Sequence, residues 1–254
     1  MPTAIIIPAR FASSRFPGKP LARQTGKFLI QHVVEQAQKS TLAKRVLVAT
    51  DDDRIFNAVK SFGGHPVMTS PSHASGTDRI AEVIRRPEFA GVQTIVNVQG
   101  DEPEIDPALI DSLIRSVSSG RVHMATASAP FQHPADIQNP NQVKVVTDHH
   151  NLALYFSRAI VPYDRDRLSL GEGTPAPDLY RKHLGIYAYT RDALLTLSTT
   201  PVCDLERLEK LEQLRALFLG MKIAVLPTNH APHGIDTPED YAAFVKRMAA
   251  QATP

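Results

Sequence analysis

One cysteine, Cys203, stands in 254 residues, so no disulfide can form within the chain and the thiol reads as structural or incidental. No apolar run is long enough to cross a bilayer. The first residues carry no basic segment and no long apolar stretch, since a strand starts at Ala4; a cytoplasmic protein is expected rather than a secreted one. Neither sign of charge is in excess. A formal charge of +2, dispersed apart from one loop, argues against nucleic acid or a membrane surface as partner. No G-x-G-x-x-G follows a strand, which removes the fingerprint of a dinucleotide-binding dehydrogenase. Gly18-Lys19 is followed by Pro20, not by the Ser or Thr of a Walker loop. Repeats, low-complexity tracts and a linker between equal halves are missing too. What remains is an ordinary globular composition, 43% apolar and 21% charged, with enough chain for a substantial core.

The chain is organised around AIIIPARFASSRFPGKPL, Ala4 to Leu21. Ala4 to Ile7 read as a short buried strand, and Pro8, with no N–H to donate, is expected to end its ladder. The loop behind it carries Arg10, Arg15 and Lys19, with Ser13 and Ser14 between them and Gly18 beside the lysine. Cations, hydroxyls and flexible backbone beyond a central strand can cradle a polyphosphate. A solvated basic loop has the same composition.

Apolar periodicity then predicts alternating helices and strands as far as residue 120: FLIQHVVEQAQKS, RVLVAT, RIFNAVKSF, HPVMTS, a helix from near Thr77, TIVNV and ALIDSLIRSV. Asp51-Asp52-Asp53 reads as a helix cap rather than a metal site, and Gly63-Gly64 as that helix's end. This alternation calls for a doubly wound α/β fold with a mostly parallel sheet. HMATASAP, VKVVTD and LALYFSR, with a tight turn at HHN, break the alternation and predict antiparallel strands. KHLGIYAYT, RDALLTLS and MKIAVLP continue as strand, helix and strand. DLERLEKLEQLRALFLG predicts one longer helix, apolar on several sides because its leucines recur every three residues. The last helix, TPEDYAAFVKRMAA, has Thr237 as cap and Pro238 at its first position. The expected organisation is a single domain over 1–254 with an antiparallel excursion at about 125–190, and with 162–177, rich in Gly, Pro and charge, as its mobile segment.

Two aspartates stand out. Asp101, in QGDEP just beyond a strand near the sheet centre, suits a hard cation, because Pro103 and Asp106-Pro107 place the next helix start later. Asp236, in HGIDTPED, is either the second carboxylate or a turn residue. His149-His150 read as solvated, and no zinc ligand set has usable spacing.

The first loop resembles the signature of sugar nucleotidyltransferases. The strings IPARFASSRFPGKPL, VATDD, SGTDR, NVQGDEP, NPNQVKVV, ALYFSR, PYDRDR, KHLGIYAY, LEQLR and GIDTPED together resemble the 3-deoxy-manno-octulosonate (Kdo) cytidylyltransferase family, in order and over nearly the whole chain. LSLGEGTPAPDLY is the least similar part. The resemblance implies a Rossmann-like nucleotidyltransferase fold and a reaction of CTP with Kdo. It places Arg10, Ser14, Arg15 and Lys19 on the triphosphate, Ser75 and Gly76 on the cytosine, and Gln99 on both substrates. Asp101 and Asp236 would hold Mg2+, and Arg79, Arg158, His183, Glu212 and Gln213 would receive the sugar acid. Arg15, Lys19 and Asp101 would be catalytic. A homodimer formed through the antiparallel strands is also implied. The alternative is a related acid: 8-amino-Kdo, or a sialic-acid-like sugar, against which LEQLR and KHLGIYAY argue. A regulator without activity would lack Asp101, Lys19 or Arg15, and all three are present. His183 reads equally as a satisfied strand histidine, and no residue is marked as an obligatory general base.

Overall fold

The computed structural model describes residues 2–12, 15–166, 176–229 and 234–252. They fall into two compact units, residues 1–114 with 232–254, and residues 115–231.

In the first unit β1 (Thr3–Ala9), β2 (Arg45–Thr50), β3 (Pro66–Met68) and β4 (Thr94–Asn97) pair in the order β3-β2-β1-β4, parallel throughout. Ala4 to Ile7 are fully buried, as a strand covered on both faces requires. The helices are α1 (Leu29–Ala37), α2 (Asp53–Ser61), α3 (Gly76–Arg85), the start of α4 (Pro107–Ser118) and the last helix, Pro238–Ala252. Pro8 does not end β1: it pairs with Ala49 of β2, and the strand runs on to Ala9. Ile6 turns its carbonyl to the β4 side, where it accepts from Val98 N–H at 3.3 Å, so Pro8, two residues on, faces the same way. The missing N–H therefore terminates only the β4 ladder, whose last partner pair is Ile6 with Asn97.

Asp52 caps α2, accepting from Arg54 N–H and Ile55 N–H, while Asp51 pairs with Arg79 at 2.8 Å. Among the described residues no group of three or more His, Cys, Asp or Glu could hold a metal ion. The turn between α1 and β2 is tied by Asp111, which accepts from Ser40 Oγ, Thr41 Oγ1 and the Thr41 and Leu42 N–H groups.

In the second unit β5 (Met124–Pro130) lies between β8 (Arg181–Thr190), antiparallel to it, and β9 (Ile223–Pro227), parallel to it. β6 (Lys144–Thr147) and β7 (Ala153–Ser157) form an antiparallel hairpin, and Lys144 pairs with Lys182 of β8. Asn151, at φ 57°, provides the left-handed residue of its turn. The helices are α5 (Pro134–Gln138), α6 (Arg191–Thr199), α7 (Asp204–Glu209) and α8 (Gln213–Phe218). The expected α/β class, mostly parallel with antiparallel strands, is the one found.

The single long helix expected over 204–220 is two short ones. Lys210 takes the left-handed conformation, φ 53° and ψ 44°, and ends α7. Leucines three apart cannot share one face of a continuous helix. The break buries Leu211 and Leu214 and leaves Leu208 78% exposed. The segment expected to be mobile, 162–177, falls largely in 167–175, outside the described residues. Among the described residues no helix is long and apolar enough to cross a membrane.

Candidate active site

Three stretches distant in sequence meet beyond the ends of β1 and β4. From the first loop, Lys19 sends its Nζ to Asp101 Oδ2 at 2.7 Å, to the Ile235 carbonyl at 2.6 Å and towards Asp236 Oδ1 at 3.5 Å. Arg15 reaches the same Asp236 oxygen at 3.0 Å from a mostly exposed side chain. The backbone closes the arrangement, because Ile235 N–H donates to the Asp101 carbonyl at 2.9 Å. Two carboxylates that would repel each other are thus held around one ammonium. Both remain partly open, with side-chain exposures of 30% for Asp101 and 47% for Asp236.

Local structure explains these placements. Gly18 has φ 70°, and a Cβ there would stand 3.0 Å from the Phe11 ring, so the PGKP turn requires glycine. Ile235 is buried with Leu29, Tyr241 and Phe244, which anchors the residue before Asp236. The last helix begins with a reciprocal cap: Thr237 Oγ1 accepts from Asp240 N–H, and Asp240 Oδ2 accepts from the Asp236 and Thr237 N–H groups at 3.0 and 2.9 Å. Tyr241 Oη accepts from Gln24 N–H at 2.8 Å, and its ring lies 5.8 Å from that of Phe16. The helix that presents Asp236 therefore also grips the basic loop.

Arg10, Lys19, Gly76, Gln99 and Asp101 line one cleft of about 250 Å³, with Pro8, Ala9, Ala12, Pro20 and Gly100. Arg10 donates to the His73 carbonyl at 3.0 Å. Ser75 caps α3 by accepting from Asp78 N–H at 3.1 Å, and a Cβ on Gly76 would come within 3.2 Å of Pro8 Cγ. Ser14 lies outside the described residues. The sequence reading missed Gly100, where a Cβ would stand 3.0 Å from the Pro8 carbonyl, and the Ile235 carbonyl, a backbone atom with no side-chain signature.

Arg79 is not with these groups. It is fully buried and donates to Thr69 Oγ1 at 2.5 Å and to Asp51 Oδ2 at 2.8 Å. A guanidinium enclosed in that way has no surface for a sugar acid, so its expected contact is corrected to a structural ion pair.

The second unit holds the remaining expected sugar-acid residues. Arg158 donates to the carbonyls of Glu209 at 2.6 Å and Pro140 at 2.9 Å, and Glu209 in turn accepts from Arg158 N–H and Ser157 Oγ. Its guanidinium is a tie for the break after α7 rather than a free fork. His183 Nε2 lies 3.0 Å from Thr126 Oγ1, which also donates to the Ile186 carbonyl at 2.8 Å. Burial lowers the pKa of His183 to about 3, so the ring is neutral. It packs edge-on to Phe156 at 5.0 Å and lies 5.4 Å from Tyr187, whose own pKa burial pushes well up, with Tyr189 and Glu212 adding to the shift. Glu212 Oε1 accepts from Arg215 at 3.3 Å. Gln213 is 5% exposed, and its Nε2 has no hydrogen-bond partner among the described residues.

The nucleotide-transferring class of this chain is shown by its likeness to known proteins, and residues 4–223 match the family described as Cytidylyltransferase. The chain is 50% identical over 236 residues, 92% of its length and 90% of the relative's, to a 3-deoxy-manno-octulosonate cytidylyltransferase of Solibacter usitatus. To the enzyme of that name from Syntrophotalea carbinolica it is 49% identical over 244 residues, 94% of this chain and 96% of the other. A solved structure of CMP:2-keto-3-deoxy-manno-octonic acid synthetase complexed with CTP superposes with TM-score 0.89 and 38% identity, covering 99% of this chain and 100% of that one. The chain belongs to the 3-deoxy-manno-octulosonate cytidylyltransferase family.

Proposed function

We propose that the protein transfers a cytidylyl group from CTP to Kdo, giving CMP-Kdo and pyrophosphate for lipopolysaccharide biosynthesis. The observation that carries this reading is the gathering of Asp101, Asp236, Arg15 and Lys19 beyond the ends of β1 and β4. The near-complete likeness to relatives named for Kdo supports the acceptor.

In the proposed reaction the anomeric hydroxyl of Kdo attacks the α-phosphorus in line and pyrophosphate leaves. Such transfers rest on positioning and charge neutralisation. Arg10, Arg15 and Lys19, with Ser14, are assigned to the triphosphate, and Ser75, Gly76 and Gln99 to the nucleoside side of the cleft. Lys19 and Arg15 neutralise the charge that grows on the leaving group. Asp101 and Asp236 offer partly exposed oxygen donors, a set that fits Mg2+. When bound there, Mg2+ would acidify the attacking hydroxyl and offset phosphate charge.

For the acceptor, His183, Glu212 and Gln213 offer neutral and anionic partners to ring hydroxyls, and the buried Gln213 amide supports this assignment through its unpartnered Nε2. Arg158 contributes by fixing the break that precedes Glu212 and Gln213. We further propose a cytoplasmic homodimer. Every large apolar side chain exposed among the described residues, Leu154, Tyr163 and Leu208 among them, belongs to the second unit.

Pyrophosphate release with CTP, UTP or ATP against Kdo, 8-amino-Kdo and a sialic acid tests the reading. CTP with Kdo should give the highest kcat/KM, because a site built to pair with an exocyclic amine rejects the analogue that lacks it. Comparable values for ATP and CTP would overturn it.

A further inference from the structure

The loop that leads into α3 is held by that helix's own side chains. Glu82 accepts from Ser70 N–H at 2.9 Å, from His73 Nε2 at 2.5 Å and from Arg86 at 2.9 Å. Arg86 also donates to the Met68 carbonyl, and Arg79 donates to Thr69 Oγ1 at 2.5 Å. Positions 79 and 82 share one face of α3, and Arg86 stands just beyond its end. Capping of α3 itself needs none of them, since Ser75 provides the cap. Their common product is a fixed course for residues 68–73, and His73 turns its carbonyl outward to receive Arg10 at 3.0 Å. Arg10 lines the cleft with Lys19, Gly76 and Asp101.

We infer that Glu82 is a positioning residue for CTP, acting through His73, whose carbonyl orients the Arg10 guanidinium towards the triphosphate. This rests on the proposed function and deepens it. Glu82 touches no substrate. It joins the loop on the cytosine side of the cleft to the first cation of the phosphate loop. Desolvation opposes its charge, yet hydrogen bonds from Ser70, His73 and Arg86 bring its pKa down to about 2, so the carboxylate stays ionised at neutral pH. A glutamine of the same shape would turn an amide N–H2 towards donors and lose at least one of the three contacts.

CTP binding to the whole protein, measured by calorimetry with Mg2+ present, tests this with Glu82→Gln, Arg10→Ala and the double variant, alongside steady-state kinetics. Glu82→Gln should weaken CTP binding about tenfold, the loss typical of a charged hydrogen bond. It should raise KM for CTP while leaving KM for Kdo unchanged. The double variant should bind no worse than Arg10→Ala alone, because the two residues act in series. His73→Phe, which keeps Glu82 on Ser70 and Arg86, should move CTP affinity in the same direction and guards against a folding defect in Glu82→Gln. Unchanged CTP affinity in both variants, or a double variant whose losses multiply, overturns the inference alone. A wild-type protein that does not bind CTP overturns the proposed function and this inference with it.

Discussion

Lys19 shows why single residues decide this cleft. One ammonium, 12% exposed, contacts both aspartates and a backbone carbonyl from residue 235, and the Asp101 contact alone is 2.7 Å long. Asp101→Asn removes a charge from a partly open carboxylate and no apolar contact from the core. Turnover should fall at least about a hundredfold with the melting temperature nearly unchanged. Asp236→Asn should behave alike if both bind the cation, and a magnesium titration of pyrophosphate release checks each. His183 carries a different expectation. Its pKa of about 3 in the fold lies below the ~6.5 of an unfolded chain. Between those values the unfolded chain binds the additional proton, so stability falls as pH drops. Urea midpoints at pH 7 and pH 5 should differ more for the wild type than for His183→Gln, and equal differences would show that His183 titrates normally.

At the scale of elements, caps and buried strands were legible because their causes are local. Asp52 and Thr237 stand where a helix N-terminus requires an acceptor, and β2 spans the apolar run read for it. The division of 204–218 was not legible, because the residue in the left-handed position is Lys210 rather than glycine or asparagine. Only the three-residue leucine spacing pointed to a conflict. Glycine adopts this conformation freely, so Lys210→Gly should raise unfolding stability by about 0.5–1 kcal/mol, read as a higher urea midpoint at unchanged slope. A lower midpoint would mean that the lysine side chain has a role of its own. The fate of Arg79 and Arg158 was equally hidden, since a guanidinium bound to carbonyls or enclosed with an aspartate looks, in sequence, like one waiting for a ligand.

For the whole molecule, the exposed apolar side chains of the second unit lead to an expectation about assembly. Leu154, on β7, is 59% exposed, and Leu208 is 78% exposed. Light scattering at micromolar concentration should give the mass of a dimer, and Leu154→Glu should shift it towards the monomer. A wild-type monomer at that concentration would contradict the assembly. The first unit, finally, is made from two separate stretches, 1–114 and 232–254, with the second unit encoded between them. On a ribosome the segments that carry Lys19 and Asp101 emerge long before Ile235 and Asp236, and the Lys19–Ile235 contact spans 216 residues of sequence. The carboxylate pair can close only after the whole second unit has been synthesised. A nascent chain therefore exposes its basic loop without the residues that order it, and a product that stops before Ile235 lacks half of the aspartate pair.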